Sequence, residues 1–211
     1  PVLIQLNHPR GIQFRADRKH RRDAHALFEE LDFNPRLPLR SHKDERVRKY
    51  LKSKEKRFLS FDAIEVLNRF SVPGWLQVRK DWFSLLNRGY RITATGNSDS
   101  HTSQLEPVGF PVNLVRREGV SMSSLVEAVR AGRVRVSTGP LVSIWADAPG
   151  WSATSSRDLH SVSGPLTVTV HVQAVDWVDV EEVRLVVNGV TIFRETVGAS
   201  PVDRSWTFKL D

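Results

Sequence analysis

Apolar positions come in short runs between polar stretches, and their spacing changes character at Gly139-Pro140. VLIQLN (2–7) and FDAIEVLN (61–68) are apolar runs ending in polar residues, the form expected of strands buried on both faces of a parallel sheet. Between them lies a long polar stretch with one helical pattern, DAHALFEEL (23–31), and turn signals at Asn34-Pro35 and Leu37-Pro38. The spacing predicts a helix over Pro73–Arg88. Pro73 suits its first turn, Trp75, Val78, Trp82, Leu85 and Leu86 share one face, and Gly89 is placed to end it. RITATG (91–96) reads as a strand. SSLVEAVRAG (123–132) reads as a helix, with Ser124 and Glu127 at capping-box spacing and Gly132 as its stop. RVRVST (133–138) is a further strand. Strands and helices alternating over 61–138 predict a wound α/β unit.

Beyond Gly139-Pro140 the period becomes two. PLTVTVHVQAV (165–175) and SWTFKL (205–210) alternate apolar with polar, and EVRLVVNGVTIFRETV (182–197) forms two β runs around Asn188-Gly189, a strong hairpin signal. No helical pattern occurs there. Residues 141–211 are therefore expected to form a small antiparallel β-sandwich, with truncation at Asp211 left open. Trp145, Trp151, Trp177 and Trp206 fit its core at least as well as a sugar-binding face, and His171 fits a surface or edge position. Trp75 and Trp82 fit helix-to-sheet packing.

Composition narrows the function classes. The 211 residues allow one large domain or a medium one with a small one. With 0 Cys, a disulfide scaffold, a zinc ribbon and a cysteine nucleophile are excluded, so any metal must rest on nitrogen and oxygen donors. No apolar run approaches the length of a membrane span. The net charge of +7 is concentrated in the front, above all from Arg36 to Arg57, while the tail is acidic. Val47, Tyr50 and Leu51 give that basic stretch one apolar stripe, which favours a solvated helix over nucleic-acid binding. Tyr50 and Phe58 alone make no stacking platform. His20, His25 and His42 lie amid this positive charge and are expected to be solvated. The chain opens at Pro1 directly into a strand, and its one Met is Met122, which predicts a piece of a longer protein.

Asp99-Ser100-His101 sets a carboxylate and an imidazole two residues apart, just after a buried strand and a Gly-Asn-Ser turn. That is the C-terminal end of a strand, where α/β folds place their sites. Two other Asp-x-His triplets lack that context: Asp23/His25 lies in a helical pattern and Asp158/His160 in a Ser-rich loop. His8 likewise follows a strand. Glu65 is flanked by apolar residues in FDAIEVL, and a carboxylate buried in a sheet is costly unless a metal ion or an Arg partner compensates it. Three strands would then bring His8, Glu65, Asp99 and His101 to one rim, a donor set suited to Zn²⁺, Mn²⁺ or Fe²⁺.

In that order, NHPRG (7–11), FDAIEVLN (61–68), GNSDSH (96–101) and GRVRVSTGP (132–140) resemble the PHP (polymerase and histidinol phosphatase) superfamily of metal-dependent hydrolases. The nearest likeness is to the carbaryl-hydrolase and amide-hydrolase subgroup, whose members often carry a β-sandwich after the catalytic domain. The resemblance implies an α/β fold. Residues 1–140 would be the C-terminal part of a distorted β/α barrel, and 141–211 a β-sandwich-like module. It implies metal ligation by His8, Glu65, Asp99 and His101 in a multinuclear centre of zinc, manganese or iron. A metal-bound hydroxide would attack a carbamate, amide or ester bond of a small-molecule substrate. Arg10 and Asn68 would stabilise an oxyanion, and Asn113 matches a polar position of unassigned role. The family opens on a His-x-His pair that this sequence lacks, which implies an incomplete metal centre and little turnover in the 211 residues alone. A phosphoesterase or nuclease of the same superfamily and a degenerate, non-catalytic binding or assembly protein are the alternatives.

Overall fold

The computed structural model describes residues 2–10, 27–30, 33–36, 60–69, 71–102, 104, 107–148, 151–153 and 164–210. The expected basic helix around Val47–Leu51, the start of the helical pattern at 23–26, His20, His25, His42 and the Asp158/His160 loop lie outside these residues.

Three parallel strands carry the first core: β1 (Gln5–Leu6), β2 (Ala63–Asn68) and β3 (Thr93–Asn97), in the order β1-β2-β3. Gln5 pairs with Ala63, and Ala63 with Thr93. Every residue from Ala63 to Val66 is buried, as a central strand covered on both faces requires. Ile64, Val66 and Ile92 pack with Phe28, Phe33, Phe61, Val78 and Leu85. Phe28 belongs to α1 (Leu27–Glu30), a single turn tied to the end of β1 by the Phe28 N–H donating to the Pro9 carbonyl at 2.9 Å.

Helix α2 (Val72–Leu86) covers this core with Val78 and Leu85. Ser71 caps it, its Oγ accepting from the Gly74 N–H at 3.2 Å, and Pro73 lies in the first turn, where its missing N–H costs nothing. Gly89, at φ 85°, follows its end as the sequence predicts. Helix α3 (Met122–Arg130) starts one turn earlier than its capping-box pattern indicates. The cap is Ser121, whose Oγ accepts from the Ser124 N–H at 3.1 Å. It connects β4 (Val112–Val115) to β5 (Val134–Ser137), which pair antiparallel with each other.

The tail is antiparallel throughout. Strands β6 (Leu141–Ala148), β7 (Trp151–Ala153), β8 (Leu166–Ala174) and β11 (Val202–Leu210) form one sheet in the order β11-β8-β6-β7. Strands β9 (Val180–Val187) and β10 (Val190–Ala199) form a separate hairpin. It turns at Asn188-Gly189, both at positive φ (52° and 84°), the backbone that a twisted two-residue turn demands. Val168, Val170, Val172, Val183, Leu185, Val202 and Trp206 fill the space between them. Trp177 is not part of that core; it stands 81% exposed in the β8–β9 turn. The hairpin tip meets α2, with Asn87 Nδ2 donating to the Asn188 carbonyl at 3.3 Å and Gly189 lying against the Phe83 ring.

The expected C-terminal part of a distorted β/α barrel is not what the chain forms. Among the described residues strands account for 44% and helices for 18%, and the sheets are open, so the fold is β-rich. The physical reason lies at β3 and β5. A barrel needs β5 or a neighbour to extend the parallel ladder beyond β3, but β5 pairs antiparallel with β4 in a separate sheet, and the Gly96 N–H and carbonyl of β3 are taken by the Asn113 side chain. It meets β3 by packing, Val136 against Gly96.

Candidate functional site

Each of the three parallel strands ends in a non-glycine residue with left-handed backbone: His8 (φ 48°) after β1, Arg69 (φ 51°) after β2 and Asp99 (φ 47°) after β3. Each costs on the order of 1 kcal/mol, and such strain gathers where a site over-determines the backbone. The strand ends are neighbours because the strands are, so His8, Glu65, Asn68, Arg69, Asp99 and His101 share one rim.

Glu65 is the hub. It is 2% exposed, and both oxygens are in use. Oε2 accepts the His8 backbone N–H at 2.8 Å and lies 3.0 Å from His8 Nδ1. Oε1 accepts from Asn97 Nδ2 at 2.8 Å and from Asn68 Nδ2 at 3.2 Å. Asn68 Nδ2 also lies 3.3 Å from His8 Nδ1. With a proton on Nδ1 donated to Glu65, the Asn68 amide serves Glu65 and His8 keeps Nε2 for another partner. A cleft of about 30 Å³, enough for about one water molecule, opens between these residues and the start of α2.

Asp99 and His101 form a second group around Arg69. Arg69 Nη2 lies 3.1 Å from Asp99 Oδ2 and 2.8 Å from His101 Nδ1. His101 Nδ1 is also 2.7 Å from the Asp99 carbonyl, so the ring holds close to its own turn. Asp99 Oδ2 and Ser100 Oγ are buried without a hydrogen bond. His101 itself is 65% exposed.

Arg10 is elsewhere. Its Nε and Nη2 donate to the two Asp81 oxygens at 2.7 and 2.8 Å, Nη2 donates to the Phe33 carbonyl at 2.6 Å, and its guanidinium stands over the Phe28 and Phe33 rings. These contacts make it the partner of a buried carboxylate on the core face of α2. Burial pushes the Asp81 carboxyl above its ordinary range, and the Arg10 hydrogen bond and charge pull the other way. Asn113 braces the rim from below: its amide accepts from the Gly96 N–H at 2.9 Å and donates to the Gly96 carbonyl at 2.6 Å.

The four expected ligands therefore stand as two pairs, His8 with Glu65 and Asp99 with His101. Among the described residues no three imidazole or carboxylate groups are placed to hold an ion together. The fit to a cation differs between the pairs. A guanidinium nitrogen already seated between Asp99 and His101 marks a place for positive charge. Glu65 has no oxygen left over, but a carboxylate that orients an imidazole through Nδ1 is the usual support of a metal-binding histidine. Sequence reasoning missed Asn97, Arg69 and Asp81. Asn97 and Arg69 are polar residues at strand ends, and Asp81 sits three residues after Val78 and four before Leu85, on the apolar stripe itself. Comparison with protein-family models, curated proteins and solved structures finds no match to this chain.

Proposed function

We propose that the rim of β1, β2 and β3 is part of the centre of a metal-dependent hydrolase acting on a carbamate, amide or ester bond of a small-molecule substrate. The observation that carries this is the seat between Asp99 and His101, where Arg69 Nη2 lies 3.1 Å from one and 2.8 Å from the other. Asp99 and His101 would supply two donors to a divalent ion, and Glu65 is the positioning residue for His8 in the neighbouring pair. A bound ion would lower the pKa of water and polarise the scissile carbonyl. Asn68 and Asn97 keep Glu65 aimed at His8 by donating to its other oxygen. Arg69, on a strained backbone, is the group that must give way when an ion enters. Among the described residues no helix is long and apolar enough to cross a membrane.

The test is metal content and affinity of the 211-residue chain, by elemental analysis and calorimetric titration with Zn²⁺ and Mn²⁺, alongside turnover of nitrophenyl carbamates and esters. Asp99→Asn and His101→Ala are expected to weaken metal binding at least tenfold. Arg69→Ala is expected to strengthen it. Undiminished metal affinity in both of the first two variants would show that the site is elsewhere.

A further inference from the structure

Beside the start of β3, at the end of the strand away from Asp99, lies a cavity of about 1020 Å³. It is bounded by α2, the β4–β5 pair and the C-terminal end of α3. Trp82, Leu86, Ile92, Leu114 and Ile144 give it an apolar body. Around that body stand Arg91, Arg116, Arg130, Arg133 and Arg135, with Glu127 the one acidic residue among the described lining. Size and make-up match those of small-molecule sites, which are mostly apolar with a few charged groups.

Arg130 and Arg133 each lie near one acid, and Arg135 near a hydroxyl. Arg130 is committed to Asp62, at 3.1 Å from Oδ1. Arg135 donates to the Ser143 hydroxyl at 3.2 Å. Arg133 Nη1 lies 3.8 Å from Glu118 Oε1, a side chain 94% exposed. The Arg116 N–H donates to the Arg133 carbonyl at 3.0 Å, which sets these two residues opposite each other across the β4–β5 pair, with Arg135 two residues on. Like charges at such positions destabilise a sheet, whereas a carboxylate or phosphate would bind the Arg133 and Arg135 guanidinia through paired hydrogen bonds.

We infer that this cavity is a binding site for a small amphipathic anion, a carboxylate or phosphate carried on an apolar body. The site is independent of the rim and of the hydrolase proposal. Calorimetric titration of the 211-residue chain with decanoate, decyl phosphate and decyltrimethylammonium tests it. At least one of the two anions binds at one per chain, the tighter of them identifying the headgroup. The cationic amphiphile binds at least tenfold more weakly, and added salt weakens the anion. Arg133→Gln combined with Arg135→Gln lowers anion affinity at least tenfold. If that variant loses its near-UV circular dichroism, Arg91→Gln, at an exposed position, takes its place with an expected loss of about threefold. The inference is overturned if neither anion binds at one per chain, if the cation binds as tightly, or if a folded arginine variant binds the anion unchanged.

Discussion

Glu65 holds His8 at two points through one oxygen, the backbone N–H at 2.8 Å and ring Nδ1 at 3.0 Å. The first contact accounts for the left-handed backbone of His8, since it requires the N–H to turn toward β2. The second fixes the ring. Glu65, expected to be a metal ligand, thus spends both oxygens on protein partners and positions the His8 ring.

Glu65→Ala would strand the donors of His8, Asn68 and Asn97 in a buried setting. Each unmet donor costs about 1–3 kcal/mol, so the variant should unfold at markedly lower urea concentration. Glu65→Gln keeps an acceptor and should lose less stability, but its amide cannot stand in for the carboxylate beside His8. Its metal affinity should therefore fall more than its stability. Equal losses in both variants would remove Glu65 from any positioning role.

Arg10 and Asp81 form a buried two-point pair, so removing one member is worse than removing both. Arg10→Met should cost about 3–5 kcal/mol by leaving a buried carboxylate without its cation. Arg10→Met with Asp81→Leu should recover most of that. A double-mutant cycle from chemical unfolding measures the coupling. A double variant as unstable as Arg10→Met would mean that the pair does more than neutralise itself.

Gly96 admits no side chain. A Cβ there would lie 2.5 Å from Val136 Cγ1 and 2.9 Å from Pro111 Cγ. Gly96→Ala should destabilise by about 1–3 kcal/mol through overpacking. Asn113→Ala should cost a similar amount by freeing the Gly96 N–H and carbonyl. Thermal unfolding of each variant checks both, and an unchanged midpoint for Asn113→Ala would deny it the bracing role.

Asp203 accepts a 2.6 Å hydrogen bond from His171 Nε2 across β11 and β8. That bond, with a second from Gln173, holds the Asp203 carboxyl below the usual aspartate range. Its contribution to stability is present above the unfolded-state pKa and is lost as pH falls through the lower folded-state value. Carboxyl-carbon NMR should show Asp203 titrating below the exposed aspartates, and His171→Ala should bring it back up. No movement in that variant would assign the shift to another cause.

Much of the local structure is legible in the residues. The α2 limits, read as Pro73 and Arg88 and found at Val72 and Leu86, follow from Pro73 in the first turn and Gly89 after the end, chemistry that acts over a few residues. The Asn188-Gly189 hairpin follows from the positive φ that only a few residue types accept. The burial of Glu65 was readable from its apolar neighbours in β2. Its partners were not, because Asn97 and His8 reach it from strands 32 and 57 positions away.

Periodicity and turn residues specify which segments become strands and helices, since those preferences act between residues close in the chain. They also place His8, Asp99 and His101 just past strand ends and Glu65 within a buried strand. Whether β5 joins β3 or closes with β4 depends on main-chain pairing between distant segments, about which an apolar run says nothing. In the folded chain β5 pairs with β4, and the sheets stay open. The same distance effect governs charge. Arg10 and Arg69 look alike along the chain, but packing carries one into the core against Asp81 and leaves the other between Asp99 and His101.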